Sequence, residues 1–302
     1  MCSDVKIVII IPYLQTWILL SIGLIISSVI TYLSIRKSKD LGMSVNIQNL
    51  GMFLPPAIFV GVYNLISHKS FAVSFSSLAI IALASFFFSW IGNTASLKAL
   101  QKAPNPGYSL IISKSYVLLT SILSVWLFNS PLTPKSILAI ILIIIFSALI
   151  ILDKNKSTTS TNKAWLWFTF TAFFAWGFLA LTLKYLTIIG VEPTIIFFYL
   201  MSFVSAIITL QMFFEKNLQK SDLCKKSFWL IFLLIGISST AMNLFIIFDY
   251  RYAPNPGYVN ASNAGSIALV TIFSALLFKD ELPLKKIIGV VGVVGSLILL
   301  FI

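Results

Sequence analysis

The sequence predicts an all-α polytopic membrane protein with ten transmembrane helices, arranged as two inverted five-helix repeats. Three observations predict this fold class. Hydrophobic residues make up 59% of the 302 residues and charged residues only 10%, whereas a soluble domain carries about 25% charge. Ten apolar stretches approach or exceed the roughly 20 residues that a helix needs to cross a bilayer. A six-residue motif also occurs twice, half a chain length apart.

The apolar stretches are separated by short polar loops, and one longer polar run lies near the midpoint of the chain. That run, 153–163, is rich in lysine, serine, threonine and asparagine. We interpret it as a linker between a first five-helix repeat, 1–152, and a second, 164–302. The predicted spans are Val8–Ile35, Leu50–Ile66, Phe71–Leu100, Pro106–Asn129, Ser136–Leu152, Ala164–Ile188, Pro193–Phe214, Phe228–Tyr252, Pro256–Phe278 and Lys286–Ile302.

The repeated motif has the sequence Ala-Pro-Asn-Pro-Gly-Tyr and occupies 103–108 and 253–258. The same 150-residue offset gives about 15 identities over the 50 positions from Ala103 to Leu152. Such self-similarity indicates an internal duplication. Because five spans per copy is an odd number, the second copy must cross the membrane in the opposite sense. That is the inverted-repeat arrangement of many secondary transporters.

The motif has a clear local effect on the chain. Its prolines end the preceding helix because they lack an amide donor. Its asparagine suits the cap of the next helix, its second proline suits the first helical position, and its glycine lets another backbone approach closely. One interpretation is a rigid hinge; the other is a gate on each face of the membrane. The candidate gating residues are Tyr108, Tyr258, Pro104, Pro106, Pro254 and Pro256.

Lys114 is the strongest single candidate for a functional residue. It lies eight residues after Pro106, about 12 Å into the fourth span. A lysine at that depth costs at least about 2.5–3.5 kcal/mol on insertion scales, so it should face a cavity or a partner. Three interpretations stay open. The lysine attracts an anionic group of a solute, or it titrates and couples transport to protons, or it is a structural cation bonded to helix carbonyls.

Polar and aromatic residues inside the spans supply further candidates. Asn93 and Asn243 are amides related by the repeat, and Trp90 and Trp176 lie near the middle of their spans. Polar residues also serve helix–helix contacts in membranes, so we expect about half of those in the third, eighth and ninth spans to line a solute pathway. The candidate solute-binding residues are Lys114, Asn93, Asn243, Asn260, Asn263, Trp90 and Trp176.

Other features predict packing rather than chemistry. Asp249 and Arg251 precede the second motif, and we interpret them as an interfacial pair or a loop anchor, or else as a gate latch. Gly289, Gly292 and Gly295 favour close helix packing, within the chain or in a homodimer. We find no catalytic constellation, metal-ligand cluster or cofactor motif, so the sequence predicts no enzyme. The two cysteines are far apart and predict neither a disulfide framework nor a metal site.

The positive charge predicts the topology. The net charge is +12, and about 15 lysines and arginines lie in loops after odd-numbered spans, against about five on the other side. The positive-inside rule places the odd loops in the cytoplasm and both termini outside, most naturally in the inner (plasma) membrane. Since the excess charge lies in short loops, it does not indicate a nucleic-acid partner.

Two short motifs, together with the duplication, carry a resemblance to a known family. They are Ala175-Trp176-Gly177 with Lys184 at the end of the sixth span, and Lys279-Asp280-Glu281-Leu282-Pro283 after the ninth. The chain resembles the drug/metabolite transporter superfamily, specifically its ten-helix EamA-type branch. The second motif looks like that family's Gly-Glu loop, with Asp280 in place of glycine. Ser21-Ile22-Gly23 stands where a Trp-Gly pair is expected, and Asn129-Ser130-Pro131 lacks the loop's acid.

The resemblance implies a central cavity formed mainly by spans 1, 3, 4, 6, 8 and 9, with spans 5 and 10 peripheral. It also implies secondary transport, often export, of small organic solutes, and cytoplasmic termini, opposite to the charge count. We therefore predict an exporter of a small polar or anionic metabolite that works by alternating access in the lipid bilayer, with protons as a candidate coupling ion. The alternatives are a carrier of an amphiphilic, lipid-like solute and a non-transporting membrane scaffold.

Overall fold

The structure is a computed structural model that describes residues 4–102, 106–152, 164–215, 226–279 and 281–302. Every regular element within these ranges is a helix. Eight spans are single helices: α1 Asp4–Asp40, α2 Val45–Ile66, α5 Pro134–Ile151, α6 Ala164–Ile188, α7 Pro193–Glu215, α8 Lys226–Tyr252, α9 Pro256–Phe278 and α10 Leu284–Phe301. Two are composite: α3 joins Phe75–Leu83, Ala84–Trp90 and Ile91–Lys102, and α4 joins Pro106–Lys114 and Tyr116–Phe128.

The described part of the chain contains ten helices long and apolar enough to cross a membrane. This confirms the predicted all-helical class and the number of spans, with bounds that shift by at most about five residues. Large apolar side chains cover the outside of the bundle, as in Trp126, Trp167 and Phe213, each more than three-quarters exposed. Such a surface suits lipid and marks an integral membrane protein. The predicted linker at 153–163 lies outside the described residues.

Short polar side chains begin several of the helices. Ser44, Ser74 and Thr133 each accept a hydrogen bond from the backbone amide three residues further on. At the second motif, Asn255 Oδ1 accepts from the Gly257 amide at 2.8 Å, and Pro256 occupies the first turn of α9. The capping role predicted for the motif is therefore confirmed at its second copy. The first copy of the motif is only partly described. Residues 103–105, which include Pro104, lie outside the described residues, and so do the side chains of Pro106, Gly107 and Tyr108.

Two helices of the first half depart from regular α-helical geometry where they approach the centre of the bundle. In α3, Ala84–Trp90 is π-helical. In α4, the helix is interrupted at Ser115, whose amide donates to the carbonyls of both Ile111 and Ile112. π-helical turns occur frequently at functional sites, and irregular backbone at membrane depth is tolerated where it lines a cavity. Both irregular segments therefore indicate that a cavity lies near the centre of the bundle.

Helix packing pairs elements from the two halves of the chain. The most extensive contacts join α1 to α8, α3 to α6, α2 to α7 and α5 to α10, and α9 packs on α1, α4, α5 and α10. Exchanging the halves, so that each helix takes the place of the one five further along, converts the α1–α8 pair into the α6–α3 pair. The α2–α7 and α5–α10 pairs convert into themselves.

The glycines of α10 serve the α5–α10 contact within the chain. A Cβ on Gly289 would meet Ile150 at 2.6 Å, and one on Gly292 would overlap the Phe146 ring, whereas Gly295 faces open space. The prediction of close packing is borne out for the first two glycines. A homodimer through this face stays a prediction.

Candidate functional site

A cavity of about 170 Å³ lies at the centre of the bundle, lined by residues of α1, α2, α3, α4, α6, α7, α8 and α9. No residue of α5 or α10 lines it, which agrees with the peripheral position expected for these two helices. The chemistry of its wall is mixed. Polar groups come from α1, α3, α4, α8 and α9, whereas α2 and α7 contribute only apolar side chains, namely Met52, Phe53, Phe197, Leu200 and Met201. The cavity is therefore amphipathic.

Lys114 supplies the positive charge of the cavity. It lies at the interruption of α4, and its Nζ is 5.1 Å from the ring centroid of Trp176 and 5.9 Å from that of Tyr32. These are cation–π distances, which suit a partly desolvated ammonium group. The described residues offer it neither a carboxylate within ion-pair distance nor a backbone carbonyl within hydrogen-bond distance. The cavity thus contains a cation that these parts of the chain do not neutralise.

The repeat-related amides Asn93 and Asn243 both line this cavity. Asn93 Oδ1 accepts from Trp176 Nε1 at 3.3 Å, and Asn243 Nδ2 donates to the carbonyl of Ser239 at 2.9 Å. Among the described residues, the remaining amide groups, Asn93 Nδ2 and Asn243 Oδ1, make no hydrogen bond. A solute in the cavity would therefore meet one amide donor from α3 and one amide acceptor from α8.

The two candidate amides of α9 differ, and Asn260 is the more fully hydrogen-bonded of them. Asn260 is 3% exposed; its Oδ1 accepts from Tyr250 at 2.7 Å and Tyr116 at 3.3 Å, and its Nδ2 donates to Thr120 at 3.2 Å. It holds two cavity tyrosines in place rather than presenting a free amide. Asn263 Oδ1 accepts from Ser28 at 3.0 Å.

Trp90 lies outside the central cavity. Its Nε1 donates to Gln211 Oε1 at 3.3 Å, and its side chain lines a separate pocket of about 220 Å³ between α2, α3 and α7. This pocket shares Phe53 and Asn93 with the central cavity. We call it the first vestibule. Trp90 therefore contacts the approach to the cavity, whereas Trp176 forms part of its wall.

A second vestibule of about 510 Å³ opens between α1, α4, α5 and α9. It shares Tyr32, Lys114 and Asn263 with the central cavity and extends to Arg36 and Lys286. Both vestibules are lined by residues near the loops that follow odd-numbered helices. We call this the lysine-rich end of the protein. The central cavity therefore adjoins both vestibules, with which it shares wall residues, on the side of the lysine-rich end.

The opposite end, which we call the second-motif end, is closed by tight packing. Tyr258 is 5% exposed, its hydroxyl donates to the Pro131 carbonyl at 3.1 Å, and its ring packs on Trp17. Asn255 is fully buried, and its Nδ2 donates to the carbonyls of Ser121 at 3.2 Å and Pro131 at 3.3 Å. The Cα of Gly257 packs directly on Ser121. The second motif thus joins α9 to the end of α4 and the loop that follows it; Pro254 and Pro256 lie within this packed segment.

Charged residues connect the remaining helices at the same end. Lys184 Nζ donates to the carbonyls of Tyr250 at 2.6 Å and Ala253 at 3.0 Å, which fixes the end of α8 to α6. Glu192 binds Lys69 at 2.7 Å and Arg251 at 3.6 Å, so one carboxylate joins two loops to the last turn of α8.

The interpretation of Asp249 and Arg251 as a pair is wrong. Arg251 pairs with Glu192, and Asp249 is fully buried, where it accepts from Ser21 of α1 at 2.6 Å. Sequence reasoning missed the roles of Lys184 and Asp249. The signal that could have found them is their position inside helices long enough to span, where an ionisable residue is a functional candidate by default.

Comparison with known proteins supports the fold and gives no function. No protein-family model matches the chain, and no curated protein matches it. Solved structures do match. One crystal structure of a protein has a TM-score of 0.73 and 12% sequence identity, covering 94% of this chain and 97% of its own. Likeness at that identity shows the fold alone. Fold and cavity together define the class: a polytopic helical membrane protein with an amphipathic central cavity.

Proposed function

We propose that this protein is a secondary transporter that moves a small organic anion across the bilayer by alternating access. Export is the direction that the EamA-type resemblance implies. One observation carries the proposal: a central cavity, whose lysine pairs with no carboxylate of the described residues, adjoins two vestibules at one end, and the second copy of the repeated motif packs tightly at the other. A scaffold would not require this cavity, and a lysine in a structural role would be bonded to helix carbonyls.

The residues that line the cavity indicate which kind of solute would fit it. Lys114 would attract a carboxylate or another anionic group, because two unit charges about 4 Å apart attract by about 4 kcal/mol at an effective dielectric constant of 20. Beside it, Asn93 would donate a hydrogen bond to the solute through Nδ2, and Asn243 would accept one through Oδ1. The apolar side chains of α2 and α7 would contact an uncharged portion of the same molecule. A compact organic anion with an apolar group fits these features better than a sugar or a cation does.

The helix pairing supports the inverted repeat that alternating access requires. The strongest contacts map onto themselves when the halves are exchanged, as expected if one five-helix unit is present twice. With five spans in each unit, the copies run in opposite senses, and the two motifs lie at opposite ends. Packing of the first motif in the way seen for the second, with Tyr108 in the role of Tyr258, would close the lysine-rich end.

The charge distribution supports a proposal for which end faces which side of the membrane. The lysine-rich end would face the cytoplasm under the positive-inside rule. The vestibules would then face the cytoplasm and the packed second-motif end would face the outside, with both termini outside. In this orientation, an exported solute would enter through the vestibules and leave after the second-motif end opens.

A solute panel tests the proposal. We expect the purified protein, reconstituted in liposomes, to catalyse saturable counterflow of 3-phenyllactate or phenylalanine, because these molecules combine a carboxylate with an apolar group. Pyruvate and citrate vary the size and charge of the anion, glycerol is an uncharged control, and a lysophospholipid represents an amphiphilic solute. Counterflow of the lysophospholipid alone would favour the amphiphile carrier. Absence of counterflow for every member would contradict the proposed function.

A further inference from the structure

The central cavity contains two tyrosine hydroxyls to which the proposed function assigns no role. Tyr116 of α4 and Tyr250 of α8 are buried, and both line the cavity. Their hydroxyls meet at one atom, Oδ1 of Asn260 on α9, at distances of 3.3 Å and 2.7 Å. A tyrosine hydroxyl has one proton to donate and can also accept. Which of the two it offers to a solute depends on where its own proton lies.

A chain of hydrogen bonds fixes the position of both protons. It begins at the backbone carbonyl of Val117, which can only accept, so the Thr120 hydroxyl donates to it at 2.9 Å. Because that hydroxyl has only one proton, it must accept from Asn260, whose Nδ2 lies 3.2 Å away. The amide nitrogen therefore faces Thr120, and the amide oxygen faces the two tyrosines. Both tyrosine hydroxyls donate to that oxygen.

The tyrosine oxygens consequently act as acceptors toward the cavity. No described residue donates a hydrogen bond to either of them. The remaining Oδ1 of Asn243 is a third acceptor, two helical turns before Tyr250 on the same face of α8. All three acceptors are uncharged. A solute that satisfies them must therefore bring a hydrogen-bond donor of its own.

The cation of the cavity lies close to these acceptors. Lys114 Nζ is 5.1 Å from the ring centroid of Trp176, and the ring centroid of Tyr116 is 6.0 Å from that of the same tryptophan. Lys114 and Tyr116 are also only two positions apart in α4. An anionic group bound by Lys114 would thus lie beside the acceptors. A donor on the carbon next to that anionic group would be placed to reach them.

Charge distinguishes the two common groups that could supply this donor, an ammonium and a hydroxyl. An ammonium would lie close to the Lys114 charge, and like charges repel strongly in a site of low dielectric constant. The described wall of the cavity contains no carboxylate that would compensate the second cation. A hydroxyl carries no charge, so it can donate to a tyrosine oxygen without this repulsion.

We propose that the solute is a 2-hydroxy acid with an apolar side chain, and that Tyr116 and Tyr250 are the residues that select its hydroxyl. Asn260 is the positioning residue that turns both tyrosine oxygens into acceptors. This inference rests on the proposed function and narrows its organic anion to one class. The carboxylate would bind Lys114 and Asn93 Nδ2, the hydroxyl would donate to a tyrosine oxygen, and the apolar group would contact α2 and α7.

The test compares three solutes that differ at one position. Beside the carboxylate, 3-phenyllactate has a hydroxyl, phenylalanine has an ammonium, and 3-phenylpropionate has only hydrogen. Binding to the purified protein is measured by calorimetry, and counterflow is measured in proteoliposomes. The variants are Tyr116→Phe, Tyr250→Phe, the two combined, and Tyr185→Phe as a matched control. Tyr185 is an exposed tyrosine of α6 that lines neither the central cavity nor either vestibule.

We expect wild type to bind 3-phenyllactate about five- to tenfold more tightly than 3-phenylpropionate, which is the contribution of one neutral hydrogen bond. It should bind phenylalanine at least about tenfold more weakly than 3-phenyllactate, because of the repulsion from Lys114. The combined tyrosine variant should lower the preference for 3-phenyllactate over 3-phenylpropionate to about twofold or less. At least one single variant should lower it part of the way, and Tyr185→Phe should keep the wild-type preference.

The ratio of the two affinities within one variant does not change with a general loss of affinity, and the wild-type comparison decides if the combined variant does not fold. Wild type that binds none of the three acids, that binds 3-phenyllactate no better than 3-phenylpropionate, or that prefers phenylalanine would overturn the inference. So would a preference that survives the combined change. Counterflow of any panel anion would leave the proposed function intact in each case. The expected binding preference without counterflow of any solute would instead overturn the proposed function and retain the specificity of the site.

Discussion

Replacing Lys114 with glutamine should lower carboxylate transport by about 30-fold or more. The substitution keeps a polar side chain of similar length and removes the one charged side chain that lines the central cavity within the described part of the chain. Losing one member of a desolvated charge pair costs at least about 2 kcal/mol, and every 1.4 kcal/mol is a factor of ten in affinity. Counterflow of the best panel member, measured at several concentrations, should show the loss mainly as weaker apparent affinity.

The same substitution separates a binding role from a structural one. Because the described residues do not neutralise Lys114, removing its charge should leave the yield and thermal stability of the folded protein unchanged or improved. Lys135→Gln is the matched control: Lys135 is an exposed lysine at the second-motif end, outside the cavity and both vestibules. If Lys114→Gln transported the carboxylate as well as wild type does, the claim that Lys114 binds an anionic group of the solute would be wrong. A large loss of stability without a change in affinity would make the lysine structural.

Replacing Gly257 with alanine should prevent the second-motif end from closing. An added Cβ would overlap the Ser121 side chain and lie 2.8 Å from its Cα, so rotation of the serine cannot relieve the contact. Forced overpacking costs about 1–3 kcal/mol. Because only the closed arrangement contains this contact, the substitution destabilises that arrangement. Transport should therefore fall at least tenfold, and a larger fraction of the protein should be open at the second-motif end. The readout is thiol labelling of Ala253→Cys, a position 2% exposed in the closed end.

Gly295→Ala provides the control for this prediction, since no atom lies within 4 Å of the Cβ it would add. We expect it to transport and label as wild type does. If Gly257→Ala transported normally and left the cysteine at 253 unreactive, the packed contact would not be needed for closure. The role given to the second motif would then be wrong.

Local chemistry explains which features could be predicted from the sequence. About twenty consecutive apolar residues specify a span whatever surrounds them, so all ten helices were predicted. The cap at Asn255 was likewise predicted, because it depends only on neighbouring residues. In contrast, the interruption of α4 at Ser115 and the π-helical turns of α3 depend on how the bundle packs. No run of residue types identifies them.

The residues of the candidate site likewise divide into those that could be predicted from the sequence and those whose positions depend on how the helices pack. Depth along a span predicted Lys114 as a cavity residue, and the repeat predicted the amide pair Asn93 and Asn243; all three line the cavity. Trp90 has the same depth, but its helix face turns it toward the first vestibule. The position of Asp249 near a helix end suggested an interfacial residue. It is buried because α1 packs across that face of α8, and this long-range contact is invisible in a single sequence.

Alternating access is tested most directly by labelling one cysteine in the cavity from each side of the membrane. Ile246 lines the cavity, and Ile246→Cys in a chain with Cys2→Ser and Cys224→Ser gives a single thiol. With a membrane-impermeant reagent and a transported panel solute, we expect reaction from the lysine-rich side and, in a separate population, from the second-motif side. Reaction from the lysine-rich side alone, whatever solute is present, would contradict the account.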